Sequence, residues 1–459
     1  MKIHFIAIGG AAMHNLALAL QKQGHVVSGS DDEVYNPARD RLSAAGLLPE
    51  QTGWFPDKVY SGLDVVVLGM HARADNPELL AALSMRLPVV SYPEFVYQQS
   101  VHKQRLVVVG SHGKTTTTAM VMHALRLQGI DFDYLVGAQL DGFDHMASLS
   151  GAPLLVVEGD EYLSSPLDPL PKMVHYRPHA AALTGIAWDH VNVFPDMSAY
   201  LAAFGGLLTA MEPGATLYWP QGDAHFPEVL SSYGTATLST VPFEAYPARV
   251  VHGITEVLRP GAEALPLRIF GAHNLLNARA ASLLCAEAGV SEDAFLQALG
   301  TFTGAGKRLQ RLGETHDRAV WLDFAHAPSK VRATTQAVRA QYPERRLVAG
   351  VELHTYSSLN RAFLPEYRGA LADAHEAFVF FSPHTLSMKK MPPLDEDFIR
   401  QCFGHPQLKV FTQTEALDAW LTTQDWANTN LLLMSSGTFG GWDAVTQAPD
   451  LMGITPKPH

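Results

Sequence analysis

Short apolar runs alternate with amphipathic stretches along most of the chain. In the first segment, apolar runs at 3–8 and 64–68 predict buried strands, and residues 14–23 have the spacing of an amphipathic helix. Further strands are predicted at 25–28 and 88–91. Strands that alternate with helices favour a mainly parallel sheet with helices on both faces. The pattern therefore predicts an α/β fold.

The same alternation begins again twice, so three α/β segments are predicted. The boundaries that the pattern favours lie at 103/104 and 311/312. In the middle segment, strands are predicted at 154–157 and 180–183, and residues 213–266, rich in Pro, Gly and Thr, are expected to be less regular. Strands of the last segment are predicted at 320–323, 346–351, 377–381, 409–411 and 430–434. This last alternation predicts a second doubly wound, Rossmann-like domain.

Residues 107–118, Val-Val-Val-Gly-Ser-His-Gly-Lys-Thr-Thr-Thr-Thr, carry the most information about function. Glycines let backbone N–H groups close around phosphate oxygens, and the following helix start adds the positive end of its dipole. Lys114 supplies charge for the β- and γ-phosphates, and the hydroxyl of Thr115 can bind Mg²⁺. Because Val108 replaces the usual first glycine, this is a shortened phosphate loop. It predicts a nucleoside triphosphate site; the alternative is a glycine turn with a surface lysine.

Composition narrows the class of protein. At 459 residues the chain is too long for one core, and its net charge of −12 argues against a nucleic-acid groove. Cys285 and Cys402 are far apart in the sequence, which indicates neither a disulfide scaffold nor a zinc site. No apolar run reaches membrane-spanning length, and the first residues favour a strand over a signal peptide. These features predict a cytoplasmic enzyme.

Carboxylates follow the strand predicted at 154–157. Glu158 comes first after it, at the sheet edge where a Mg²⁺–nucleotide complex is held, so Glu158 is the predicted metal ligand. The alternative is a solvated acidic turn. His190 follows the next strand and can bind a second divalent ion or orient a phosphoryl oxygen. A structural histidine is the alternative there.

Two later segments also suit a nucleotide. Asn274 and Asn277 are spaced to share one helix face, where their amides can bind an adenine edge; helix-capping asparagines are the alternative. Arg308, on a glycine-rich loop, can reach a phosphate, or it is an exposed loop charge. Asp323 and His326 end the first strand of the last segment and are expected to complete the nucleotide site.

The first segment also begins with a strand, a glycine turn and a helix, which together form one mononucleotide-binding unit. Its dinucleotide fingerprint is incomplete, so NAD binding is only weakly indicated, and a nucleotide sugar can use the same turn. An oxidoreductase module and a non-catalytic nucleotide sensor are therefore the alternatives from other classes. The complete Gly113-Lys114-Thr115 sequence argues against an oxidoreductase module. The presence of Glu158 and His190 argues against a non-catalytic sensor.

Taken in order along nearly the whole chain, these residues resemble the Mur ligases, ATP-dependent amide-forming enzymes of peptidoglycan precursor synthesis. The matching positions are 110–117, Glu158 with Asp160 and Glu161, Asp189 with His190, His273 with Asn274 and Asn277, Lys307 with Arg308, and 323–328. The resemblance implies a UDP-muramate-binding domain at 1–103, a central P-loop ATPase domain at 104–311 and a C-terminal Rossmann-like domain at 312–459. It also implies ATP and Mg²⁺ as cofactors.

The resemblance assigns roles to individual residues. Catalysis falls to Lys114, Glu158 and His190, and metal binding to Thr115, Glu158 and His190. The implied ATP-binding residues are Gly110, Ser111, His112, Gly113, Lys114, Thr115, Thr116, Asn274, Asn277, Arg308, Asp323 and His326. The implied substrate-binding residues are Gly10, Ala11, Met13, Ser30, Asp31 and His354.

Two branches of the family compete. One adds L-alanine to UDP-N-acetylmuramate, and the other adds the recycled tripeptide L-Ala-γ-D-Glu-meso-diaminopimelate through an acylphosphate. Residues 158–162, 172–178 and 434–441 are similar to the tripeptide branch, since the alanine branch usually has serine where Tyr162 stands. The tripeptide is therefore the predicted acceptor, and L-alanine is the alternative. Residues 352–358 depart from the usual arginine-containing stretch, which leaves acceptor recognition to His354, Ser357, Ser358 or Arg361. A monomer or weak homodimer is expected.

Overall fold

The computed structural model of the protein describes residues 1–70, 72–140 and 142–454. The chain divides into two compact units. The first unit comprises Met1–Ile186, Ser198–Glu244 and Ala280–Ala298. The second unit comprises Ala187–Met197, Ala245–Arg279 and Leu299–His459.

The N-terminal part of the first unit contains a four-stranded parallel sheet with strand order β2-β1-β3-β4. Its strands are β1 (Lys2–Ile6), β2 (Val26–Ser30), β3 (Val65–Leu68) and β4 (Val89–Ser91). Its helices are α1 (Ala11–Lys22), α2 (Ala38–Ala44), α3 (Pro77–Ser84) and α4 (Tyr92–Gln98), with a 3₁₀ turn at Pro56–Lys58. The Asn76 side chain caps α3 by accepting from two backbone N–H groups, as the Asn-Pro-Glu sequence predicts. The strands and helices alternate as the apolar pattern predicts.

The larger sheet of the first unit has seven strands in the order β13-β12-β11-β5-β8-β6-β7, and only the short β7 is antiparallel to its neighbour. The strands are β5 (Gln104–Val109), β6 (Asp133–Leu135), β7 (Ala147–Ser148), β8 (Leu154–Glu158), β11 (Ala180–Leu183), β12 (Thr216–Pro220) and β13 (Ser239–Phe243). The hairpin β9 (Leu163–Ser165) and β10 (Asp168–Pro171) lies outside that sheet. The helices are α5 (Lys114–Leu127), α6 (Lys172–His175), α7 (Met197–Ala210) and α8 (Phe226–Tyr233).

The second unit contains a six-stranded sheet in the order β17-β18-β22-β19-β20-β21, parallel except for its edge strand β17. Its strands are β17 (Gln310–Glu314), β18 (Ala319–Asp323), β19 (Arg346–Leu353), β20 (Glu376–Phe381), β21 (Leu408–Phe411) and β22 (Thr429–Met434). The helices that alternate with these strands are α11 (Pro328–Gln341), α12 (Pro383–Met388), α13 (Glu396–Phe403), α14 (Thr414–Thr422) and α15 (Ala444–Leu451). Two 3₁₀ turns lie at Leu364–Tyr367 and Phe439–Gly441. The mainly parallel, Rossmann-like organisation predicted for this part is confirmed.

The region expected to be less regular is more ordered than the sequence predicts. It contributes β12, α8 and β13, and then an antiparallel sheet of β14 (Ala248–Val251), β15 (Ile254–Val257) and β16 (Leu265–Leu267). Proline disfavours strands, but Pro242 and Pro266 lie in the edge strands β13 and β16, where a missing N–H is tolerated. Two helices follow, α9 (Ala272–Glu287) and α10 (Glu292–Thr301).

None of the helices among the described residues combines the length and apolar composition needed to cross a bilayer. The cores are instead built around the sheets: the Leu106–Val109 side chains of β5 are fully buried, as are those of Leu155–Val157 in β8. Burial on both faces explains why these strands are continuous apolar runs rather than alternating ones.

Lys103, just before β5, is a buried cation that ties the start of this strand to the start of β6 and to the segment before β8. Its Nζ donates to Asp133 Oδ2 at 2.7 Å and to the carbonyls of Ser150 and Ala152 at 2.8 and 2.6 Å. Asp133 is fully buried. The pair therefore satisfies both charges inside the first unit.

We predict that Lys103→Met destabilises the first unit by about 3–5 kcal/mol, because it leaves the buried Asp133 carboxylate without its cation. Thermal unfolding followed by circular dichroism measures this. Lys22→Met, which removes an exposed lysine at the end of α1, is the matched control. A Lys103→Met protein that unfolds at the temperature of the control would show that this ion pair does not hold the strand.

Candidate functional site

The phosphate loop leaves the C-terminal end of β5 and enters α5. At Gly110 the backbone has φ +127°, and a Cβ there would lie 2.5 Å from Thr184 Oγ1 and 2.9 Å from the carbonyl of Gly185. Glycine is thus required by both conformation and space. Gly113 is in the left-handed conformation immediately before α5. The other predicted loop residues, Ser111, His112 and Thr116, lie in the same strand–turn–helix element.

Lys114 is the first residue of α5, and its side chain folds back over the loop. The ammonium donates to the carbonyl of Gly110 at 2.7 Å and to Glu161 Oε2 at 2.5 Å, and Asp160 Oδ1 lies 4.0 Å away. Burial alone would lower the pKa of Lys114, but the charges of Glu161 and Asp160 raise it above its ordinary value. Lys114 is therefore positively charged at neutral pH.

Thr115 and Glu158, two of the three predicted metal ligands, are brought together. Thr115 Oγ1 donates to Glu158 Oε1 at 2.9 Å, and the backbone N–H of Gly137 donates to Glu158 Oε2 at 2.7 Å. A Cβ at Gly137 would lie 2.8 Å from that carboxylate. A hydroxyl and a carboxylate at the start of a phosphate-loop helix are oxygen ligands of the kind that Mg²⁺ uses. The residues present thus fit a magnesium–nucleotide complex.

The sequence did not identify the role of Lys172 next to this loop. Its Nζ donates to Asp160 Oδ2 at 2.6 Å and lies 5.5 Å from the centre of the Tyr162 ring. Burial opposes its charge, but Asp160 raises the pKa of Lys172 above its ordinary value. The two segments that signalled the tripeptide branch, 158–162 and 172–178, are therefore in contact. The ten-residue separation of Tyr162 and Lys172 does not by itself predict a contact, because the β9–β10 hairpin between them brings the two side chains together.

Most of the predicted substrate-binding residues lie at the ends of β1 and β2 and are called the donor-site residues below, because UDP-muramate is the expected acyl donor. The N–H of Gly9 donates to Asp31 Oδ2 at 2.7 Å, and burial raises the pKa of Asp31 to about 6. Ser30 Oγ accepts from the ammonium of Lys58 at 3.1 Å, a cation that no pattern in the sequence indicates. Gly10, Ala11 and Met13 form the turn into α1 and its first residues. This glycine turn beside an acidic strand end is the arrangement expected of a nucleotide-binding unit.

In the second unit, Asp323, Arg308 and His326 are drawn together around Phe324. Asp323 accepts from the N–H groups of Leu309 at 2.5 Å and Ala325 at 2.7 Å. The guanidinium of Arg308 lies 4.4 Å from the centre of the Phe324 ring, whose edge meets His326. Burial raises the pKa of Asp323, and this increase is opposed by Arg308 and by the two N–H groups. Asp323 thus shapes the loop that carries the other two residues.

Asn274 and Asn277 are both buried on α9, one turn apart. Asn274 Nδ2 donates to the carbonyl of Phe270 at 2.9 Å, and Asn277 Nδ2 donates to Asn274 Oδ1 at 3.5 Å. They share one face, as the spacing predicts. The Asn274 amide donates to a carbonyl before the helix, whereas a capping side chain accepts from backbone N–H groups, so this bond is not a helix cap. An adenine contact stays a prediction.

His190 belongs to the second unit, where it follows a buried carboxylate. The His190 N–H donates to Asp189 Oδ1 at 2.7 Å, and the backbone of His190 is left-handed, with φ 57°. Asp189 Oδ2 accepts from the ammonium of Lys330 at 3.4 Å. Burial would raise the pKa of Asp189, but the charge of Lys330 lowers it well below its ordinary value, together with His190 and His326. Lys330 is a further cation that the sequence did not indicate, and a metal-binding role for His190 stays a prediction.

His354 follows β19 and lies beside Glu352, with His354 Nδ1 3.7 Å from Glu352 Oε1. The buried Glu352 carboxylate also accepts from Ser435 Oγ and from the N–H of Phe439, at 2.8 Å for the latter. The strand ends of β19 and β22 therefore meet here, as the parallel order requires. A Cβ on Gly437 would lie 2.8 Å from both Glu352 Oε2 and His354 Nδ1, so a glycine at this position leaves room for the two side chains.

The other candidate acceptor residues are used differently. Ser358 is fully buried and closes a turn with Thr355, and buried Ser357 accepts from the N–H of Val191. Arg361 is half-exposed, pairs with Asp395 at 3.4 Å and stacks on Phe398. Ser358 holds the shape of its own loop, and Ser357 holds the segment that contains Val191. Both uses weaken the sequence argument that these serines recognise a peptide carboxylate.

Comparisons with known proteins identify a family. The family described as "Mur ligase family, catalytic domain" matches residues 2–103, and the "Mur ligase middle domain" matches residues 108–285. A UDP-N-acetylmuramate–L-alanine ligase from Psychrobacter sp. is 34% identical over 373 residues, which are 77% of this chain and 75% of the relative.

Two solved structures are similar. A UDP-N-acetylmuramate:L-alanyl-γ-D-glutamyl-meso-diaminopimelate ligase from Neisseria meningitides is 29% identical, with a TM-score of 0.60, over 66% of this chain and 98% of that one. A UDP-N-acetylmuramate–alanine ligase from Thermotoga maritima has a TM-score of 0.68 over 96% of both chains. At 23% identity this second match supports the fold alone.

Two histidines of the second unit, His273 and the buried His326, give a prediction for pH dependence. Burial lowers the pKa of His273 and of His326 from 6.5 to about 4. Between these values the unfolded chain binds more protons than the folded chain, so stability falls as the pH decreases from 6.5 towards 4. Each histidine contributes up to about 3 kcal/mol of this loss.

We therefore predict that the unfolding temperature falls less in His326→Gln than in wild type when the pH is lowered from about 7 to about 4.5. The variant lacks the imidazole whose proton uptake favours the unfolded chain. His316→Gln, at a side chain that is 91% exposed, is the control and should leave the decline unchanged. A decline of the same slope in both variants would mean that His326 takes up its proton in the folded protein.

Proposed function

Since the chain belongs to the Mur ligase family, and is thus an ATP-dependent, ADP-forming amide ligase of peptidoglycan synthesis, we propose that its acyl donor is UDP-N-acetylmuramate. The amine of a stem amino acid or peptide is the acceptor. We further propose a cytoplasmic location and a monomer or weak homodimer. The domain boundaries proposed are 1–103 for donor binding, 104–311 for ATP binding and 312–459 for the C-terminal domain.

One observation carries this proposal: the fixed cation of Lys114 lies next to the oxygen pair of Thr115 and Glu158. A carboxylate is a poor acyl donor until it is phosphorylated, and phosphoryl transfer between two anions depends on positioned positive charge. Mg²⁺, held by Thr115 and Glu158 with His190 as a third proposed ligand, would supply part of that charge.

The proposed reaction has two steps. A lactyl carboxylate oxygen of the donor attacks the γ-phosphorus of ATP, the bond to the β-phosphate oxygen breaks, and ADP leaves with an acylphosphate formed. The acceptor amine then attacks the acyl carbon, expels inorganic phosphate and loses a proton to give the amide. Lys114 neutralises charge on the transferred phosphoryl group. The backbone N–H groups that surround the phosphates of ATP belong to Gly110, Ser111, His112, Gly113 and Thr116.

Other residues keep the roles that the sequence suggests. Gly10, Ala11, Met13, Ser30 and Asp31 are proposed to hold the donor. Arg308, Asp323 and His326 are proposed for the phosphates and ribose of ATP, and Asn274 and Asn277 for adenine. The neutral His326, whose pKa is lowered to about 4 by burial, can donate or accept a hydrogen bond at neutral pH without adding charge.

L-Alanine is the first candidate acceptor. The Psychrobacter relative named for this reaction is 34% identical over 77% of the chain, which favours L-alanine over the tripeptide that the sequence motifs predict. The burial of Ser358 and the use of Ser357 by a backbone N–H point the same way, because they remove two of the polar groups expected to meet a peptide.

The tripeptide L-Ala-γ-D-Glu-meso-diaminopimelate is the second candidate, and a specific contact favours it. Tyr162, which stands where the alanine branch usually has serine, packs on Lys172, which in turn holds Asp160. The Neisseria structure named for the tripeptide reaction is 29% identical over 98% of its own length. His354 and Arg361 are the partly exposed side chains that could meet its carboxylates.

We predict that Lys114→Ala lowers ATP-dependent turnover by roughly a thousandfold while the fold is retained, since it removes a preorganised charge that acts on the transition state. Lys22→Ala, in an exposed position on α1, is the control for the loss of a lysine. ADP release in the presence of donor and acceptor measures the effect. A variant that keeps more than about a tenth of wild-type turnover would remove Lys114 from phosphoryl transfer.

For the acceptor, we predict at least about tenfold higher specificity for L-alanine than for the tripeptide, a difference of about 1.4 kcal/mol in transition-state binding. Equal concentrations of the two compete for limiting UDP-N-acetylmuramate, and the products are separated by mass. If the tripeptide adduct dominates, the chain belongs to the tripeptide branch. If neither adduct forms although ATP and the donor bind, both candidate acceptors are wrong.

A further inference from the structure

Tyr200 is a fully buried tyrosine at the start of α7, and its hydroxyl lies behind the phosphate loop. Tyr200 Oη donates to Glu161 Oε1 at 3.0 Å and lies 2.6 Å from Ser111 Oγ. Glu161 is also fully buried, and Ser111 is nearly so. No pattern in the sequence marks this residue, since it lies beyond the loop, the acidic turn and the Asp189-His190 pair.

These bonds close a ring through the loop itself. A tyrosine hydroxyl has a single proton, which goes to the carboxylate of Glu161, so Ser111 must donate to Tyr200. The other oxygen of Glu161 accepts from Lys114 at 2.5 Å, and Lys114 also donates to the carbonyl of Gly110 at 2.7 Å. The order of donation is therefore Ser111 to Tyr200, Tyr200 to Glu161, and Lys114 to both Glu161 and Gly110.

The ring has a mechanical consequence for Lys114. A carboxylate anchored at one oxygen cannot rotate freely, so the other oxygen stays where the ammonium meets it. Hydrogen bonds to ionised groups are the stronger kind, and burial strengthens them further. Without the Tyr200 hydroxyl, Glu161 can turn, and the position of the Lys114 charge is no longer fixed.

We propose that Tyr200 is a positioning residue for nucleotide binding, acting through Glu161 on Lys114. This inference rests on the proposed role of Lys114 at the phosphates of ATP. Tyr200 itself touches no reacting atom in this account. Its effect falls on ATP, not on UDP-N-acetylmuramate, because the ring is built from the phosphate loop and includes none of the donor-site residues.

The test uses Tyr200→Phe in the full-length protein, since phenylalanine keeps the ring packing against Phe204 and removes only the hydroxyl. The matched control is Tyr218→Phe, which removes a hydroxyl that donates to Glu287 at 2.6 Å, a contact that includes no residue of the phosphate loop. The probe is a non-hydrolysable ATP analogue with Mg²⁺, titrated by calorimetry. The steady-state KM for ATP and for UDP-N-acetylmuramate are measured on the same proteins.

We expect the Kd for the analogue and the KM for ATP to rise about tenfold in Tyr200→Phe, with the KM for UDP-N-acetylmuramate within about twofold of wild type. Tyr218→Phe should match wild type in all three. In a Glu161→Gln background, the further effect of Tyr200→Phe should nearly disappear, because the residue through which it acts has lost its charge.

Nucleotide binding by Tyr200→Phe equal to that of Tyr218→Phe would overturn the inference. So would equal losses for ATP and for UDP-N-acetylmuramate, which indicate a general structural defect, or an undiminished Tyr200 effect in the Glu161→Gln background. A wild-type protein that does not bind the analogue overturns the proposed function itself, whereas wild-type binding with an unaffected Tyr200→Phe variant overturns only the role of Tyr200.

Discussion

The ammonium of Lys114 must be held at the phosphate loop although burial disfavours its charge. The groups that surround this loop in the first unit meet that requirement. Glu161 and the Gly110 carbonyl meet the ammonium directly, and the carboxylates keep the pKa of Lys114 above its ordinary value. These groups come from the ends of adjacent strands β5 and β8, so a parallel sheet is what brings them together. Gly110 lets the loop approach Thr184 and Gly185 closely enough for this to occur.

Much of the fold and of this loop could be predicted because the signals are local. A β-branched run, two glycines and a helix start lie within residues 107–118. Each of these sequence features favours the local backbone conformation that the structure has there. Glu158 could be predicted for a related reason, since the residue at the carboxyl end of a buried parallel strand always lies at the same sheet edge. The structure places its carboxylate against Thr115, as this rule suggests.

The contacts that the sequence did not reveal join residues that are distant along the chain. Tyr200 meets Ser111, and Lys330 meets Asp189, through packing that no periodicity encodes. The strands β13 and β16 were missed because proline argues against a strand until its position at a sheet edge is known. Ser357 and Ser358 were expected to face a substrate, but the Ser358 hydroxyl bonds within its own loop and the Ser357 hydroxyl accepts from the distant N–H of Val191.

The central claim is that a muramate carboxylate is phosphorylated before the amide forms. It can be tested by following oxygen from UDP-N-acetylmuramate labelled with oxygen-18 in its lactyl carboxylate, incubated with ATP, acceptor and the protein. Each inorganic phosphate released is expected to carry one labelled oxygen, because that oxygen bridges carbon and phosphorus in the acylphosphate. Amide formation with unlabelled phosphate, read by mass spectrometry or by the isotope shift in the phosphorus-31 spectrum, would contradict it.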